Sequence, residues 1–355
     1  DLPGTALVDR PVIVDVRAHD EALARLGDGG RHHILQLHRA EARQGLGVPA
    51  SVLGGPALFG VRTLDIPASL ERLYQRHYVN VDRERFDRWL VSQVPDTVEQ
   101  RYGWSLASLE RSIDGAFLRC RTHEGALVSA TARLVVGADG AASLVRRLAF
   151  GHVARPKRYV ALQSEHEIDK YEPHFGAVFD ERLTDFYGWT VPKEDRLLVG
   201  IALPSGAGEP RHAAEVHARF VEVVRSAGFM IGAEIARSSA PISRPTSLRQ
   251  LCPGGNGVLL VGEAAGLISP SSAEGISYAL RSGADLALAL DEGISGVEAR
   301  YRAAVAPLAA RVALKGAKGA AIYGRMTRRA IMRSGIAAIG TRPVLEHVMT
   351  EAPCR

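Results

Sequence analysis

The residues best suited to chemistry lie in two stretches that mix acids, glycines and other small side chains. One is LLVGEAAGLISPSSAEGISYALRSG, from Leu259 to Gly283. Its Glu263 carboxylate can accept hydrogen bonds from sugar hydroxyls, and the small residues through Gly266 leave room for a bulky ligand. The segment 270–275 then opens a helix, whose unpaired N–H groups suit a phosphate or an electron-rich ring oxygen.

The other stretch is VVGADGAASLVRR, from Val135 to Arg147. Gly137 and Gly140 permit close approach of a ligand to the backbone, and Asp139 can accept hydrogen bonds from hydroxyls or brace the turn. A turn of this composition is, by itself, more often only a turn. Ligands of open parallel sheets bind where strands end and helices begin. The two stretches together therefore predict one shared nucleotide site.

An α/β architecture is predicted around these stretches, because short β-branched runs alternate with helical patterns. Three apolar runs are typical of buried parallel strands: Val12–Val16, Arg133–Asp139 and Val258–Ala264. Apolar residues at helical spacing predict helices over Arg83–Val94 and from Ile276 to Leu290.

A second kind of structure is indicated between Lys157 and Arg244. Aromatic and polar residues alternate there, which predicts an antiparallel sheet, and a covering helix is predicted over Ala213–Gly228. This segment is inserted between the two halves of the nucleotide-binding domain. From Val297 onward the chain is predicted to be helical.

The composition excludes several classes of protein. Hydrophobic residues make up 46% and charged residues 23% of the chain, as in ordinary globular proteins. The three cysteines lie far apart and the twelve histidines are scattered, so no metal site is predicted. No apolar run is long enough to span a membrane and no signal peptide is visible, which favours a cytoplasmic location.

A basic segment lies near the C-terminus. No acid occurs between Glu298 and Glu346, whereas ten arginines and lysines do. Two interpretations stay open: a solvated helical face, or contact of residues 300–342 with an anionic membrane surface. No nucleic-acid partner is expected, because no recognition motif accompanies the charge.

In their order and composition the two stretches resemble the paired motifs of the FAD-dependent geranylgeranyl reductase family. The second motif of that family reads GDAAG…P…GEGI, where this chain has GEAAGLISPSSAEGI. A third stretch, FYGWTVPK from Phe186 to Lys193, resembles the YxWxxPK signature of the same family. The likeness covers about Leu46 to Ile339, and within the family it is greatest to CbrA-type bacterial members.

The resemblance implies a fold in three parts. These are a FAD/NAD(P)-binding Rossmann-like α/β domain (1–55, 77–155 and 245–296), an inserted antiparallel-sheet substrate domain (56–76 and 156–244) and C-terminal helices (297–355). It also implies a set of FAD-binding residues: Gly4, Asp15, Arg83, Gly137, Asp139, Gly140, Gly262, Glu263, Gly266, Pro270, Gly275 and Ile276. Glu263 would face the ribityl or pyrophosphate part and 270–275 would lie along the isoalloxazine ring. Tyr187, Trp189 and Pro192 would line a substrate cavity.

The chain departs from the family near its N-terminus. The family's GxGxxG is absent, and only Gly4 resembles its third glycine. Residues 21–40 do not resemble the family either. Two explanations stay open: the chain is a fragment with a compensated frameshift, or it is a diverged member that has lost the cofactor.

Three functions follow as hypotheses. The first is hydride transfer from reduced FAD to an apolar, isoprenoid-like double bond, with NAD(P)H or another electron donor. The second is a flavin-dependent monooxygenase on the same fold, and the third is a truncated, non-catalytic chain that no longer binds FAD. No residue stands out as a catalytic acid or base.

Overall fold

The computed structural model describes residues 6–7, 12–14, 48–55, 57–112, 115–205 and 210–340. These residues belong to two compact units. Unit 1 contains the described residues before 15, together with 90–157 and 243–318; unit 2 contains 48–89, 158–242 and 319–340.

Seventeen strands and six α-helices are found in the described residues. The strands are β1 (Ala6–Leu7), β2 (Val12–Val14), β3 (Leu58–Asp65), β4 (Leu70–Tyr78), β5 (Glu99–Arg101), β6 (Ser105–Ser112), β7 (Gly115–Arg121), β8 (Leu127–Ala132), β9 (Val135–Gly137), β10 (Lys157–Glu167), β11 (His174–Phe179), β12 (Gly188–Pro192), β13 (Arg196–Pro204), β14 (Glu234–Arg244), β15 (Gly254–Gly255), β16 (Val258–Leu260) and β17 (Ala338–Gly340). The helices are α1 (Arg83–Ser92), α2 (Leu144–Ala149), α3 (Pro210–Ser226), α4 (Ile276–Asp291), α5 (Val297–Tyr323) and α6 (Arg325–Ser334).

Unit 1 contains the parallel strands that the apolar runs predict. β9 and β16 pair in parallel within the sheet β15-β16-β9, and β2 pairs in parallel with β5. β16 is fully buried, since its side chains pack into two cores. On one side Val258 and Leu260 join a cluster that includes α2 and α5, and on the other Leu259 packs against Tyr301 and Val305. Burial on both faces explains why this strand is apolar throughout.

Unit 2 is built on a single eight-stranded sheet in the order β14-β10-β13-β12-β11-β3-β4-β17. From β10 to β17 its pairs are antiparallel apart from β11 and β3, which confirms the antiparallel sheet predicted for this segment. α3 covers one face through Phe220 and Val224, both buried. The ring of Phe220 lies so close to β12 that a Cβ on Gly188 would come within 2.1 Å of it. Glycine is therefore required there for helix and sheet to pack.

The sheet extends further along the chain than the sequence indicated. β4 runs to Tyr78, and β17 pairs with β4 as an edge strand. The prediction of helices alone after Val297 is therefore wrong at residues 338–340. Compactness also groups 77–89 and 319–340 with this sheet, whereas the predicted boundaries place them in other domains.

Helix α6 attaches to unit 2 through its basic side chains. Arg328 is buried, and its guanidinium Nε lies 2.8 Å from Asp65 Oδ2. Arg329 and Arg328 both contact Glu181, at 2.8 and 3.2 Å. These two arginines thus form ion pairs within unit 2. Arg333 is one of the basic residues of the segment that stay exposed.

The opposite side of α6 exposes Met326. Within the described ranges, none of the helices combines the length and the apolar character that crossing a bilayer requires. Contact of the basic segment with a membrane surface stays a prediction.

Candidate functional site

The two glycine-containing stretches lie side by side in unit 1. β9 and β16 are in register from Val135 beside Val258 to Gly137 beside Leu260. The N–H of Val261 donates to the carbonyl of Gly137 at 3.0 Å, which continues the pairing beyond the strand. Because the strands run in the same direction, the turns after them leave the same edge of the sheet. The prediction that these two stretches meet is confirmed.

Arg146 ties the two turns together. Its side chain is buried in α2 and donates to the carbonyls of Ala264 at 3.1 Å, Ala154 at 3.0 Å and Gln250 at 2.7 Å. Burial lowers the pKa of this guanidinium, yet an arginine keeps its charge near neutral pH. One charged side chain therefore fixes the second turn against the helix that follows the first.

Asp139 organises the first turn. Its carboxylate accepts hydrogen bonds from Ser143 Oγ at 2.5 Å, from the N–H of Leu144 at 2.6 Å and from that of Val145 at 3.0 Å. Two N–H groups at the start of α2, which have no partner within the helix, are satisfied in this way. These contacts show that Asp139 braces the turn. Its contact with a cofactor stays a prediction.

Glycine is required at two positions of this site, for different physical reasons. Gly140 has φ of +70°, and no described residue lies within 4 Å of where its Cβ would be. The backbone conformation, not crowding, therefore requires glycine at this open position. Gly262 has φ of +55°, and its Cβ would lie 3.0 Å from that of Ala279, so it lets α4 approach the second turn. Its N–H donates to the buried Ser282 Oγ at 2.8 Å.

The carboxyl group of Glu263 has a strongly shifted pKa. It lies half-buried in a short 3₁₀ helix, Gly262–Ala265, which Gly266 ends in the left-handed conformation. Burial raises the pKa of Glu263 to about 7, although its hydrogen bonds with Ser243 oppose that rise. The Ser243 N–H donates to Glu263 Oε1 at 2.5 Å. The carboxyl can therefore change its protonation near neutral pH.

The start of α4 lies just after this turn. Gly275 is its N-cap and Ile276 its first residue, and the carbonyl of the preceding Pro270 accepts from Arg244 Nε at 3.1 Å. Within the described part of the chain, the N–H groups of Gly275 and Ile276 make no hydrogen bond. Two donors are therefore available beside the Glu263 turn. The predicted cofactor residues from Gly137 to Gly140 and from Gly262 to Ile276 all belong to unit 1.

The predicted substrate residues lie in unit 2, where they form an aromatic cluster. Tyr187 and Trp189 are buried with ring centroids 5.8 Å apart, and Tyr187 also contacts Phe179 and Phe186. Trp189 Nε1 donates to Gln163 Oε1 at 3.1 Å. A Cβ on Gly200 would come within 2.4 Å of the indole, so the ring lies flat against β13.

Pro192 ends the same strand. Its carbonyl accepts from Asn80 Nδ2 at 2.7 Å, and the neighbouring Lys193 Nζ donates to Asn80 Oδ1 at 2.5 Å and to the Val81 carbonyl at 2.9 Å. Burial lowers the pKa of Lys193 to about 8. These contacts join β12 to the segment before α1. Lining of a substrate cavity by Tyr187, Trp189 and Pro192 stays a prediction.

The remaining predicted cofactor residues are Arg83, Gly4 and Asp15. Arg83 is in unit 2, where its Nε pairs with Asp87 Oδ1 at 2.7 Å. Gly4 and Asp15 lie outside the described residues.

Comparison with known proteins decides the family. No protein-family model matches the sequence. Protein CbrA of Escherichia coli O6:H1 is 34% identical over 302 residues, which cover 85% of this chain and 80% of CbrA. The chain belongs to the CbrA family.

The fold of this CbrA family member is shared with flavoproteins of known structure. A geranylgeranyl bacteriochlorophyll reductase-like protein from Thermoplasma acidophilum matches with a TM-score of 0.68 and 20% identity, over 85% of this chain and 79% of the other. PqsL of Pseudomonas aeruginosa, a probable FAD-dependent monooxygenase, matches with a TM-score of 0.60 and 18% identity over 92% of each chain. The predicted Rossmann-like α/β class is therefore confirmed.

Several residues that hold the two turns of this family member in place carry no signal in its sequence. Ser243, which donates to Glu263, belongs to the end of β14, and Ser282, which receives the N–H of Gly262, lies within α4. In the sequence, Arg146 is only the first of two consecutive arginines. Each of these contacts joins residues far apart in the chain, and no local pattern reveals such a pairing.

Proposed function

We propose that the chain is an FAD-dependent oxidoreductase that transfers hydride to an apolar, isoprenoid-like double bond. The observation that carries the proposal is the side-by-side arrangement of the two turns after β9 and β16. Ligands of sheets of this kind bind where adjacent parallel strands end. Membership of the CbrA family and the flavoprotein fold support FAD as the ligand.

The chemistry of the groups at this edge fits a flavin nucleotide. The free N–H groups of Gly275 and Ile276 can donate to the carbonyl oxygens of the ring, and the partial positive charge of the helix start favours added negative charge there. Glu263 can accept from ribityl hydroxyls when it is ionised. Among the described residues, none fills the space beside Gly140 in the first turn. When bound, FAD supplies the hydride chemistry, while the chain supplies position and electrostatics.

The substrate side of the proposal concerns Tyr187, Trp189 and Pro192. Aromatic side chains offer large apolar surfaces that suit an isoprenoid chain. All three are buried by their neighbours in unit 2. The electron donor in this proposal is NAD(P)H or another reductant.

A monooxygenase is the second candidate, favoured by the structural likeness to PqsL. The two functions differ in their need for oxygen. A reductase turns over in its absence, whereas a monooxygenase stops. Anaerobic turnover with reduced FAD and an isoprenoid test substrate therefore separates them.

The first experiment measures FAD binding. The purified chain is titrated with FAD, and binding is followed by quenching of flavin fluorescence and by the visible spectrum. A chain that stays colourless and leaves the fluorescence of added FAD unchanged would overturn the proposal, and it would favour the non-catalytic alternative.

A pair of variants on one helix tests the location. Gly275 has an ordinary backbone conformation, and a Cβ there would lie 3.6 Å from Ile268, so Gly275→Leu leaves room for folding while it obstructs the helix start. We expect G275L to weaken FAD binding about tenfold or more, a loss of about 1.4 kcal/mol. Gly283→Leu is the control, because nothing in the described ranges lies within 4 Å of a Cβ at that position in α4. Equal affinities in both variants would place the cofactor elsewhere.

A further inference from the structure

An ion pair lies at the start of α4. Lys315 of α5 places Nζ 3.3 Å from Glu274 Oε2, and the Glu274 side chain is only 9% exposed. The other carboxylate oxygen accepts hydrogen bonds from Ser277, through its N–H at 3.3 Å and through its hydroxyl. Glu274 directly precedes the N-cap Gly275. A buried negative charge is therefore fixed next to the two free N–H groups.

Lys315 is held at this position by two contacts. Besides the carboxylate, its Nζ lies 5.3 Å from the centroid of the Tyr278 ring, within the range of a cation–π interaction. Tyr278 and Glu274 both lie in the segment that opens α4, while Lys315 comes from a separate helix. Tertiary packing, not local sequence, thus supplies the cation that balances Glu274.

This pair changes the electrostatics of the helix start. The partial positive charge of a helix N-terminus is offset by a carboxylate in the first turn or just before it. A nearby ammonium group cancels much of the carboxylate's field. With both charges present, the helix start keeps its attraction for a negatively charged ligand.

We propose that Lys315 and Glu274 set the reduction potential of the flavin bound at the start of α4. This inference rests on the proposed function. Reduction adds negative charge to the flavin ring, so a cation nearby favours the reduced form and a carboxylate disfavours it. Lys315 acts as a positioning and tuning residue and makes no contact with substrate in this account.

The test uses two variants that break the same ion pair. Lys315→Met removes the positive charge, and we expect it to lower the preference for reduced over oxidised FAD about tenfold, equivalent to about 30 mV for a two-electron couple. Glu274→Gln removes the negative charge, and we expect a shift of similar size in the opposite direction. The potentials are measured by equilibration with a redox dye during anaerobic reduction.

Opposite shifts distinguish electrostatic tuning from a structural role. Loss of a structural contact would shift the reduction potential in the same direction in both variants, because each variant loses the same ion pair. The double variant is expected to return towards the wild-type potential, and Lys315→Arg, which keeps the charge, to stay near it. Arg302→Met is the control, since this exposed cation lies more than three turns away along α5.

The outcomes separate this inference from the proposed function. If the wild-type chain binds no FAD, the proposed function falls and the inference with it. If FAD binds and the two single variants leave its potential unchanged, or shift it in the same direction, the inference alone is overturned. Should K315M fail to fold, the comparison of E274Q and K315R with the wild type still decides the sign.

Discussion

Replacement of Arg146 is expected to loosen the edge of the sheet at which the two turns meet. Its guanidinium makes three hydrogen bonds with backbone carbonyls, of Ala264, Ala154 and Gln250. A hydrogen bond that involves a charged group contributes about 1.5–3 kcal/mol. Relief of the buried charge in Arg146→Met offsets part of the loss of three such bonds, which leaves an expected net cost of about 3–5 kcal/mol.

Hydrogen exchange read by mass spectrometry localises this effect. A cost of about 3–5 kcal/mol corresponds to about two to three and a half decades of lost protection, at about 1.4 kcal/mol for each tenfold change. We expect that loss in peptides covering 258–266 of R146M. Arg146→Lys keeps the charge but not the planar fork of donors, and an intermediate loss is expected.

Arg147 is the matched control, because it is the next residue of α2 and its side chain is exposed. Arg147→Met is expected to change stability by less than about 0.5 kcal/mol. If R146M and R147M show the same protection in 258–266, Arg146 does not hold the second turn, and the reasoning is refuted.

Three further predictions concern titration and surface binding. Burial raises the pKa of Glu263 to about 7, so we expect FAD affinity in fluorescence titrations to rise as the carboxylate forms between about pH 6 and pH 8; the same slope in Glu263→Gln would contradict this. Burial lowers the pKa of His217, so its stabilising effect is present above the unfolded pKa of about 6.5 and is lost as pH falls below it. The drop in melting temperature on acidification should therefore be smaller in His217→Gln than in His212→Gln, an exposed position on the same helix. The chain is expected to co-float with anionic but not zwitterionic vesicles, less so in Arg333→Glu; no flotation would favour the solvated helical face.

Much of the secondary structure follows from local patterns. The parallel strands β9 and β16 and the helix α4 are found where the apolar runs and stripes predict them. α1 ends at Ser92 and α3 begins at Pro210, so the predicted boundaries are only a few residues off. These elements are readable because burial selects apolar side chains at the period of each structure.

The pairing of distant segments is harder to predict from the sequence. β17 joins β4 across most of the chain, and α6 attaches through Arg328 to Asp65, so the last part of the chain completes a sheet that begins near residue 58. A three-residue strand has almost no periodicity of its own, and its partner decides its conformation. The basic segment likewise gave no indication that two of its arginines face inward.

The sequence alone determined the family, the two turns and the small or acidic residue types within them, because each is written in a few neighbouring positions. The tertiary structure decided how the residues of these turns are used. It assigns Asp139 to the start of α2, buries Glu263 beside Ser243 and brings Lys315 to Glu274. Hydrogen bonds, burial and charge balance act through space, and only the folded chain specifies which distant groups come within reach of one another.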